Sequence, residues 1–298
     1  MEKLQSLKLE HVCAPRGDEL IHVDCASHKY PDGSVGIHEM CFRVLKDEVV
    51  ALCGPNGSGK STLIEHLNGL LKPSTGRVTV LGKAASTARG DIWREVGLVF
   101  QKSDDQLFAP TVLDDVMFGP INMGMDIEEA RSVALEALRA VGAESFATKV
   151  PSYLSGGQKR LVSIAGVLAM KPKVIAMDEP TSDLDPNHSD LIEKIILDLK
   201  KAHGISVVVA THDMDMAARL ADRICIVKDG SIIAEGLPSE IFYDLRLLEE
   251  AGLKQPGVAR IYERIGPILG LDAGQRPLNP DELVRLVAAT TNNHGGND

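Results

Sequence analysis

The run Gly54-Pro55-Asn56-Gly57-Ser58-Gly59-Lys60-Ser61-Thr62 leaves this chain little freedom in what it can become. It fits G-x-x-x-x-G-K-[ST], a loop whose backbone N–H groups wrap phosphates. Such a loop works between a strand and a helix N-terminus, where unpaired N–H groups and the helix dipole both favour negative charge. The flanks meet that demand. Glu48-Val49-Val50-Ala51-Leu52-Cys53 reads as a buried strand, and Leu63, Ile64, Leu67, Leu70 and Leu71 then recur at helical spacing. Lys60 is expected to reach the β- and γ-phosphates of a nucleotide, and Ser61 to ligate Mg2+. The fold class implied is α/β.

Composition narrows the remainder. The 298 residues suffice for one large domain plus an appendage. A net charge of −10 argues against a nucleic-acid partner, which calls for a basic field. No apolar run approaches the roughly 20 residues that span a bilayer. The start, Met1-Glu2-Lys3-Leu4-Gln5, lacks a signal peptide's apolar core. The expectation is a cytoplasmic protein whose membrane role, if any, comes through a partner. The cysteines at 13, 25, 41, 53 and 225 include no CxxC, so neither a disulfide framework nor a zinc ribbon is indicated. His11, Cys13, His22, Cys25 and His28 cluster in sequence. Alternation over 20–27 puts Ile21, Val23 and Cys25 on one strand face and His22 and Asp24 on the other, with His28 on that second face too. That favours a buried Cys25 with exposed histidines over a structural metal site.

Along the chain, residues 1–19 are an extension, with a short edge strand suggested over Ser6 to Val12. Residues 20–50 hold two or three strands around the turn Tyr30-Pro31-Asp32-Gly33, and Tyr30 is placed to stack on an adenine face. After the loop helix come a strand at Arg77 to Gly82 and a loop or short helix over 84–95. A buried strand, Val96 to Phe100, then ends at Gln101, near where α/β sheets hold ligands. Residues 102–150 change character: Thr111 opens a capped helix and 127–140 are amphipathic, so this stretch reads as a helical insertion. Leu154-Ser155-Gly156-Gly157-Gln158 opens a long apolar helix and offers a second phosphate cradle. Two cradles roughly a hundred residues apart suggest that two chains share each nucleotide. Lys173 to Asp178 is an apolar strand ending in Asp178 and Glu179. Asp178 can hold Mg2+ opposite Ser61, and Glu179 can polarise an attacking water. Residues 187–202 form a helix. Ser206 to Thr211 is a buried strand ending at His212, within reach of a γ-phosphate. A hairpin follows around Asp229-Gly230, then a helical C-terminal stretch in which Asn279 and Pro280 start a helix. Thr290 to Asp298 is polar and Gly-rich, expected to be disordered.

Over roughly residues 20–240 these motifs resemble the ATP-binding cassette (ABC) ATPases. Gly54–Thr62 matches Walker A, Gln101 the Q-loop and Ser155–Gln158 the signature. Val174–Asp178 matches Walker B, Glu179 the catalytic carboxylate, Ser182–Asp185 the D-loop and His212 the switch histidine; Tyr30 matches the adenine-stacking aromatic. The resemblance implies a nucleotide-binding domain over 20–240, with a RecA-like core, an antiparallel β-subdomain and a helical subdomain at about 102–170, plus a small helical extension over 241–298. It implies ATP with Mg2+, the latter held by Ser61, Gln101 and Asp178. Two departures stand out: Asp183 replaces a small residue or glycine in the D-loop, and Asp47-Glu48 replaces a common Gly-Glu.

The stretch from Gln101 through Asp105-Gln106-Leu107-Phe108 to Phe118-Gly119-Pro120, and the tail Leu248 to Leu253 with Pro256 beyond, resemble the ATPases of energy-coupling factor (ECF) importers. That resemblance implies a homodimer on the cytoplasmic face of the membrane. It would work with an integral membrane coupling protein and a membrane substrate-binding subunit that imports cobalt, nickel or a vitamin; cobalt or nickel is the expectation. Leu107 and Phe118 are candidates for the partner groove. A non-transport ATP-driven clamp fits less well, since this acidic single cassette has neither long insertions nor a basic surface. A nucleotide-binding regulator without hydrolysis conflicts with Glu179 and His212. A GTPase lacks its N-K-x-D or T-K-x-D motif here.

Overall fold

The structure, a computed structural model, describes residues 18–85, 92–272 and 274–294. The edge strand expected over 6–12, and with it His11 and Cys13, lies outside those residues. The chain begins with strands β1 (Glu19–Lys29) and β2 (Val35–Leu45), then β3 (Val49–Cys53) and helix α1 (Lys60–Asn68). Next come β4 (Thr75–Val80), β5 (Lys83–Ala84), α2 (Ile92–Glu95) and β6 (Val96–Val99). Three helices, α3 (Val112–Asn122), α4 (Ile127–Ala140) and α5 (Gly156–Leu168), precede β7 (Val174–Asp178). The core closes with α6 (Pro186–His203), β8 (Ser206–Thr211), α7 (Met214–Leu220), β9 (Arg223–Lys228) and β10 (Ser231–Gly236). Helices α8 (Pro238–Ile241), α9 (Leu245–Ala251), α10 (Gly257–Leu269) and α11 (Pro280–His294) follow.

Two sheets result. The first is antiparallel, in the order β2-β1-β4-β5; the second runs β10-β9-β3-β8-β7-β6, parallel except for the β9–β10 hairpin. Strands β3, β7 and β8 are buried along their whole length, because helices cover one face and the antiparallel sheet with α1 covers the other. Alternation sorts their side chains between two cores. Val49, Ile175, Met177, Val207 and Val209 pack with the helices after β6, whereas Val50, Leu52, Ala176 and Val208 pack with α1 and the antiparallel sheet. Register then decides where the chemistry falls. Cys53 pairs with Thr211 and Asp178 with Ala210, so the loops after β3, β7 and β8 leave the sheet at one edge, the carboxyl edge where such sheets bind ligands.

Three expectations need correction or refinement. Cys25 does not share the buried face of Ile21 and Val23: a bulge between Val23 and Ala26 places Cys25 at φ 43 and buries Ala26 in its stead. The extra residue shifts the alternation by one. Cys25 Sγ instead lies 3.2 Å from Cys41 Sγ on the neighbouring strand. The tail is helical further than its composition suggests, because α11 runs to His294, and the rest of the expected disordered stretch, 295–298, lies outside the described residues. Thr and Asn lower helix propensity by only about 0.5 kcal/mol each, which the preceding helical turns carry. Asn279 does cap this helix, its Oδ1 accepting from Glu282 N at 3.0 Å. The two departures from the family pattern sit where glycine would: Asp47 has φ 58 and Asp183 φ 61, left-handed positions that Asp tolerates better than most residues.

The tip of the β9–β10 hairpin is not free. Gly230 N donates to Ser58 O at 2.9 Å, His38 N donates to Gly230 O at 2.8 Å, and Ser231 Oγ donates to His38 O at 2.8 Å. The hairpin thus backs the Gly54–Thr62 loop and ties it to β2.

Candidate active site

The loop between β3 and α1 is shaped by glycines that nothing larger could replace. A Cβ on Gly54 would lie 2.2 Å from Val227 O, and one on Gly59, at φ 104, would lie 2.5 Å from Gly36 O. Lys60 is buried, and its Nζ donates to Gly54 O at 2.8 Å and Pro55 O at 3.0 Å, folding the loop around its own ammonium. Burial pushes the Lys60 pKa down, while Glu179 and Asp178 pull it back up. Ser58 Oγ is buried in the loop without a hydrogen-bond partner, as a group waiting for an anionic ligand would be.

The two acids arrive from β7. Asp178 is its last residue; burial raises its pKa, opposed first by the Ser61 hydroxyl, which donates to it. This Ser–Asp pair, hard oxygen donors side by side, suits Mg2+. Glu179 follows at φ 45, its backbone N donating to Ala210 O at 2.9 Å. Its side chain is 8% exposed, and Thr211 Oγ1 stands 3.4 Å from Oε2. His212 Nδ1 lies 2.8 Å from Glu179 Oε1 without aligning a hydrogen bond on it. The histidine, 58% exposed, projects towards solvent beside the acid.

A cleft of about 380 Å³ gathers Asn56, Gly57, Gly59, Lys60, Ser61 and Thr62 with Tyr30, Gln101, Asp178 and Glu179. Residues predicted from seven separated stretches therefore form few places, and most form this one. Gly54, Pro55 and Ser58 shape the loop from behind, and His212 stands next to Glu179. The buried, partnerless Ser58 hydroxyl, the glycine-walled cradle and the Ser61–Asp178 pair fit a nucleoside triphosphate with Mg2+.

The signature residues stand apart. Ser155 and Gln158 close a capping box at the start of α5, with Gln158 N to Ser155 Oγ at 3.3 Å and Ser155 N to Gln158 Oε1 at 3.2 Å. Gly156 and Gly157 face Leu184 and His188 beside the D-loop rather than the cleft. His188 Nδ1 lies 2.5 Å from Asp185 Oδ2, the acid that caps α6.

Sequence reasoning missed four participants. Val35 and Gly36 line the cleft because the β1–β2 hairpin folds back on itself, a placement with no local signal. Arg160 is 3% exposed, and its guanidinium donates to the backbone oxygens of Phe100 and Gln101, wiring the signature helix to the Q-loop. A cation in an otherwise apolar helix face was the available clue. His188 looked like an ordinary first-turn residue of α6.

Comparison with known proteins agrees with this geometry. A family model described as ABC transporter matches residues 37–182. The energy-coupling factor transporter ATP-binding protein EcfA of Methanocaldococcus jannaschii is 47% identical over 238 residues, covering 79% of this chain and 85% of that protein. The EcfA of Methanosphaera stadtmanae is 43% identical over 241 residues, covering 80% and 86%. Among solved structures, cbiO1 from Clostridium perfringens, described as part of the ABC transporter complex cbiONQ, superposes with a TM-score of 0.71. It shares 36% identity and covers 85% of this chain and all of its own. A dimeric ATP-binding cassette in a post-hydrolysis state, bound to ADP and Pi, superposes with a TM-score of 0.66 at 30% identity over 73% of this chain and 98% of its own.

Proposed function

The chain belongs to the ABC transporter family as an energy-coupling factor ATP-binding protein, and we propose that two copies of it power the import of cobalt or nickel ions through membrane partners. It is an ABC-type ATPase. The observation that carries the mechanism is the single cleft joining Tyr30, the Gly54–Thr62 loop, Gln101, Asp178 and Glu179.

Lys60 exchanges its two loop carbonyls for phosphate oxygens, and the loop's N–H groups spread the charge that builds in a loose phosphoryl-transfer transition state. Ser61, Asp178 and Gln101 would hold Mg2+, which supplies further neutralisation of the β- and γ-oxygens. Glu179 orients or deprotonates the attacking water, and His212 contacts the γ-phosphate. Ser155–Gln158 lie outside the cleft of their own chain, which supports a reading in which they cover the nucleotide of a partner copy. ATP then bridges both cradles and closes the dimer, and hydrolysis removes the bridge.

The membrane partner's place is a groove of about 230 Å³ between the helical insertion and the core. Leu107, Phe108, Phe118 and Trp93 line it, with Phe108 67% and Phe118 51% exposed and their rings edge-on at 4.9 Å. Gln106 Nε2 donates to Ser163 O there at 3.2 Å and Arg160 holds the Q-loop, so the groove shares its backbone with the cleft. Among the described residues no helix is long and apolar enough to cross a membrane. The cobalt or nickel reading rests on the resemblance to metal-uptake ATPases.

The test is a detergent pull-down of the Glu179→Gln variant with Mg-ATP from native membranes, with co-purified integral proteins identified by mass spectrometry. A coupling protein with a small substrate-binding membrane subunit, loaded with cobalt or nickel, is the expected result. A vitamin-loaded subunit would replace the cargo, and a conventional permease pair or soluble partners alone would overturn the importer assignment.

A further inference from the structure

Behind Tyr30 lies a cluster that the hydrolytic reaction does not use. The His28 ring meets Tyr30 edge-on, with centroids 4.7 Å apart and planes at 76°. It meets His66 the same way, at 4.8 Å and 77°. His66 belongs to α1, is fully buried, and has Nδ1 2.6 Å from Thr62 O. Thr62, the last residue of the phosphate loop, has Oγ1 2.9 Å from the Tyr30 hydroxyl. His28 Nδ1 donates to Lys72 O at 3.1 Å. Gly36 closes the remaining side: a Cβ there would lie 2.9 Å from Tyr30 Cε2 and 2.7 Å from Thr62 Cγ2.

Tyr30 is therefore held at two points. Its hydroxyl is tethered to the phosphate loop, and its ring packs at a steep angle on His28. His28 in turn rests on a histidine from the loop's own helix, so the circuit is closed: Tyr30, Thr62, His66, His28 and back to Tyr30. His66 Nε2 is buried without a well-aligned hydrogen bond, the Lys72 backbone being the polar group near enough to act on the ring; buried polar groups ordinarily avoid such poor pairing. A leucine or phenylalanine would fill that volume without a poorly paired nitrogen. What an apolar residue could not do is present both a ring for His28 and an N–H for the Thr62 carbonyl. Burial also holds the His66 pKa below its usual value, so the ring stays neutral in this circuit.

We propose that His28 and His66 are positioning residues for the base of ATP, holding Tyr30 at a fixed distance and angle from the phosphate loop. The proposal rests on reading Tyr30 as the adenine platform. A tyrosine on a turn has side-chain freedom to lose when a base stacks on it; a pre-set ring loses less, and the base binds more tightly for it. The circuit meets the phosphate loop only at Thr62, whereas the loop's glycines, Lys60 and Ser61 are set by other contacts.

The test compares two ligands on the full chain by calorimetry in the presence of Mg2+: ATP, and inorganic tripolyphosphate, which has no base. His28→Ala should weaken ATP about fivefold, the loss expected from one edge-to-face pair. It should leave tripolyphosphate within about twofold of the wild-type chain. His28→Phe, which keeps the ring, should recover ATP affinity, and Tyr30→Ala combined with His28→Ala should be no weaker than Tyr30→Ala alone. If His28→Ala does not fold, His28→Gln removes the ring while keeping a donor for the Lys72 carbonyl, and carries the same expectation. Unchanged ATP affinity in these ring-less variants, alongside a loss in Tyr30→Ala, would overturn the proposal. So would equal weakening of ATP and tripolyphosphate, which marks general damage to the loop. Unchanged ATP affinity in Tyr30→Ala would instead overturn the base-platform reading itself.

Discussion

A methyl group added at Gly157 measures how tightly the signature is locked to the D-loop. In Gly157→Ala the new Cβ would lie 2.3 Å from His188 Cδ2 and 2.4 Å from Cγ. Carbon atoms settle at roughly 3.5–4.0 Å, so the ring must retreat by more than about 1 Å. It is not free to do so, since Nδ1 is held 2.5 Å from Asp185 Oδ2 and the backbone N of His188 donates to Asp185 Oδ1 at 3.1 Å. Overpacking of this kind costs about 1–3 kcal/mol. Taking about 2 kcal/mol and roughly 2 °C per kcal/mol for a chain of this length, Tm should fall by about 4 °C. His188→Ala alone gives up a half-exposed ion pair worth about 0–1 kcal/mol. The double variant removes both the methyl's obstacle and the pair, so it should be about as stable as His188→Ala. The coupling between the two sites is then about 2 kcal/mol, read from urea unfolding of the four proteins. Strictly additive effects, or a Gly157→Ala protein as stable as wild type, would refute the claim that His188 walls the signature glycine.

Four further outcomes follow from the site. Lys60→Ala should lose measurable ATP binding by calorimetry, because the loop loses the one cation it is folded around. Glu179→Gln should keep ATP binding, slow steady-state turnover by about 10²- to 10⁴-fold and accumulate dimer on size-exclusion chromatography; normal turnover would remove Glu179 from its role. Asp178→Asn should raise the Tm of the nucleotide-free protein while abolishing hydrolysis. The sign follows from the raised pKa: the unfolded carboxyl ionises first, so the wild-type chain loses stability as pH climbs from the usual carboxylate value through the higher folded one. The Asn variant's advantage should therefore be full above that window and close as pH falls below it; an advantage independent of pH would contradict the burial argument. Phe118→Ala should reduce recovery of membrane proteins in the pull-down while ATP binding by the isolated subunit persists, and unchanged recovery would move the docking face elsewhere.

Much of the catalytic edge was legible because its residues are defined by local pattern. A glycine-rich loop between an apolar strand and a helical repeat has one structural meaning, and acids or a histidine at the ends of apolar strands follow the same logic at Asp178, Glu179 and His212. The D-loop and the Asp47 turn were read as departures, and the left-handed backbone at Asp47 and Asp183 shows why those positions attract glycine. What escaped was set by contacts between distant segments. Period-two alternation cannot foresee a bulge, so Cys25 was placed on the wrong face. Arg160 and His188 act through backbone oxygens and a glycine Cα that only the folded chain brings near them. His28 on a strand and His66 on a helix are 38 positions apart in number but ring to ring in space, so no local pattern joins them. Residues 290–294 were misjudged because their polar composition was weighed above the helix that Asn279 and Pro280 start.

Hairpin tips are ordinarily the places where a protein tolerates added sequence: epitope tags, fluorescent domains, permuted ends. The Asp229-Gly230 tip is an exception, since its backbone is spoken for by Ser58 and His38. From β10 onward the chain leads into the C-terminal helices, and Lys228, one residue before the tip, donates to Glu250 O at 2.7 Å. Anyone labelling this subunit, or grafting a sensor onto it, should leave that turn intact. A longer turn there would pry at the floor of the phosphate loop, and a family lineage that lengthened it would have to rebuild the loop's support at the same time.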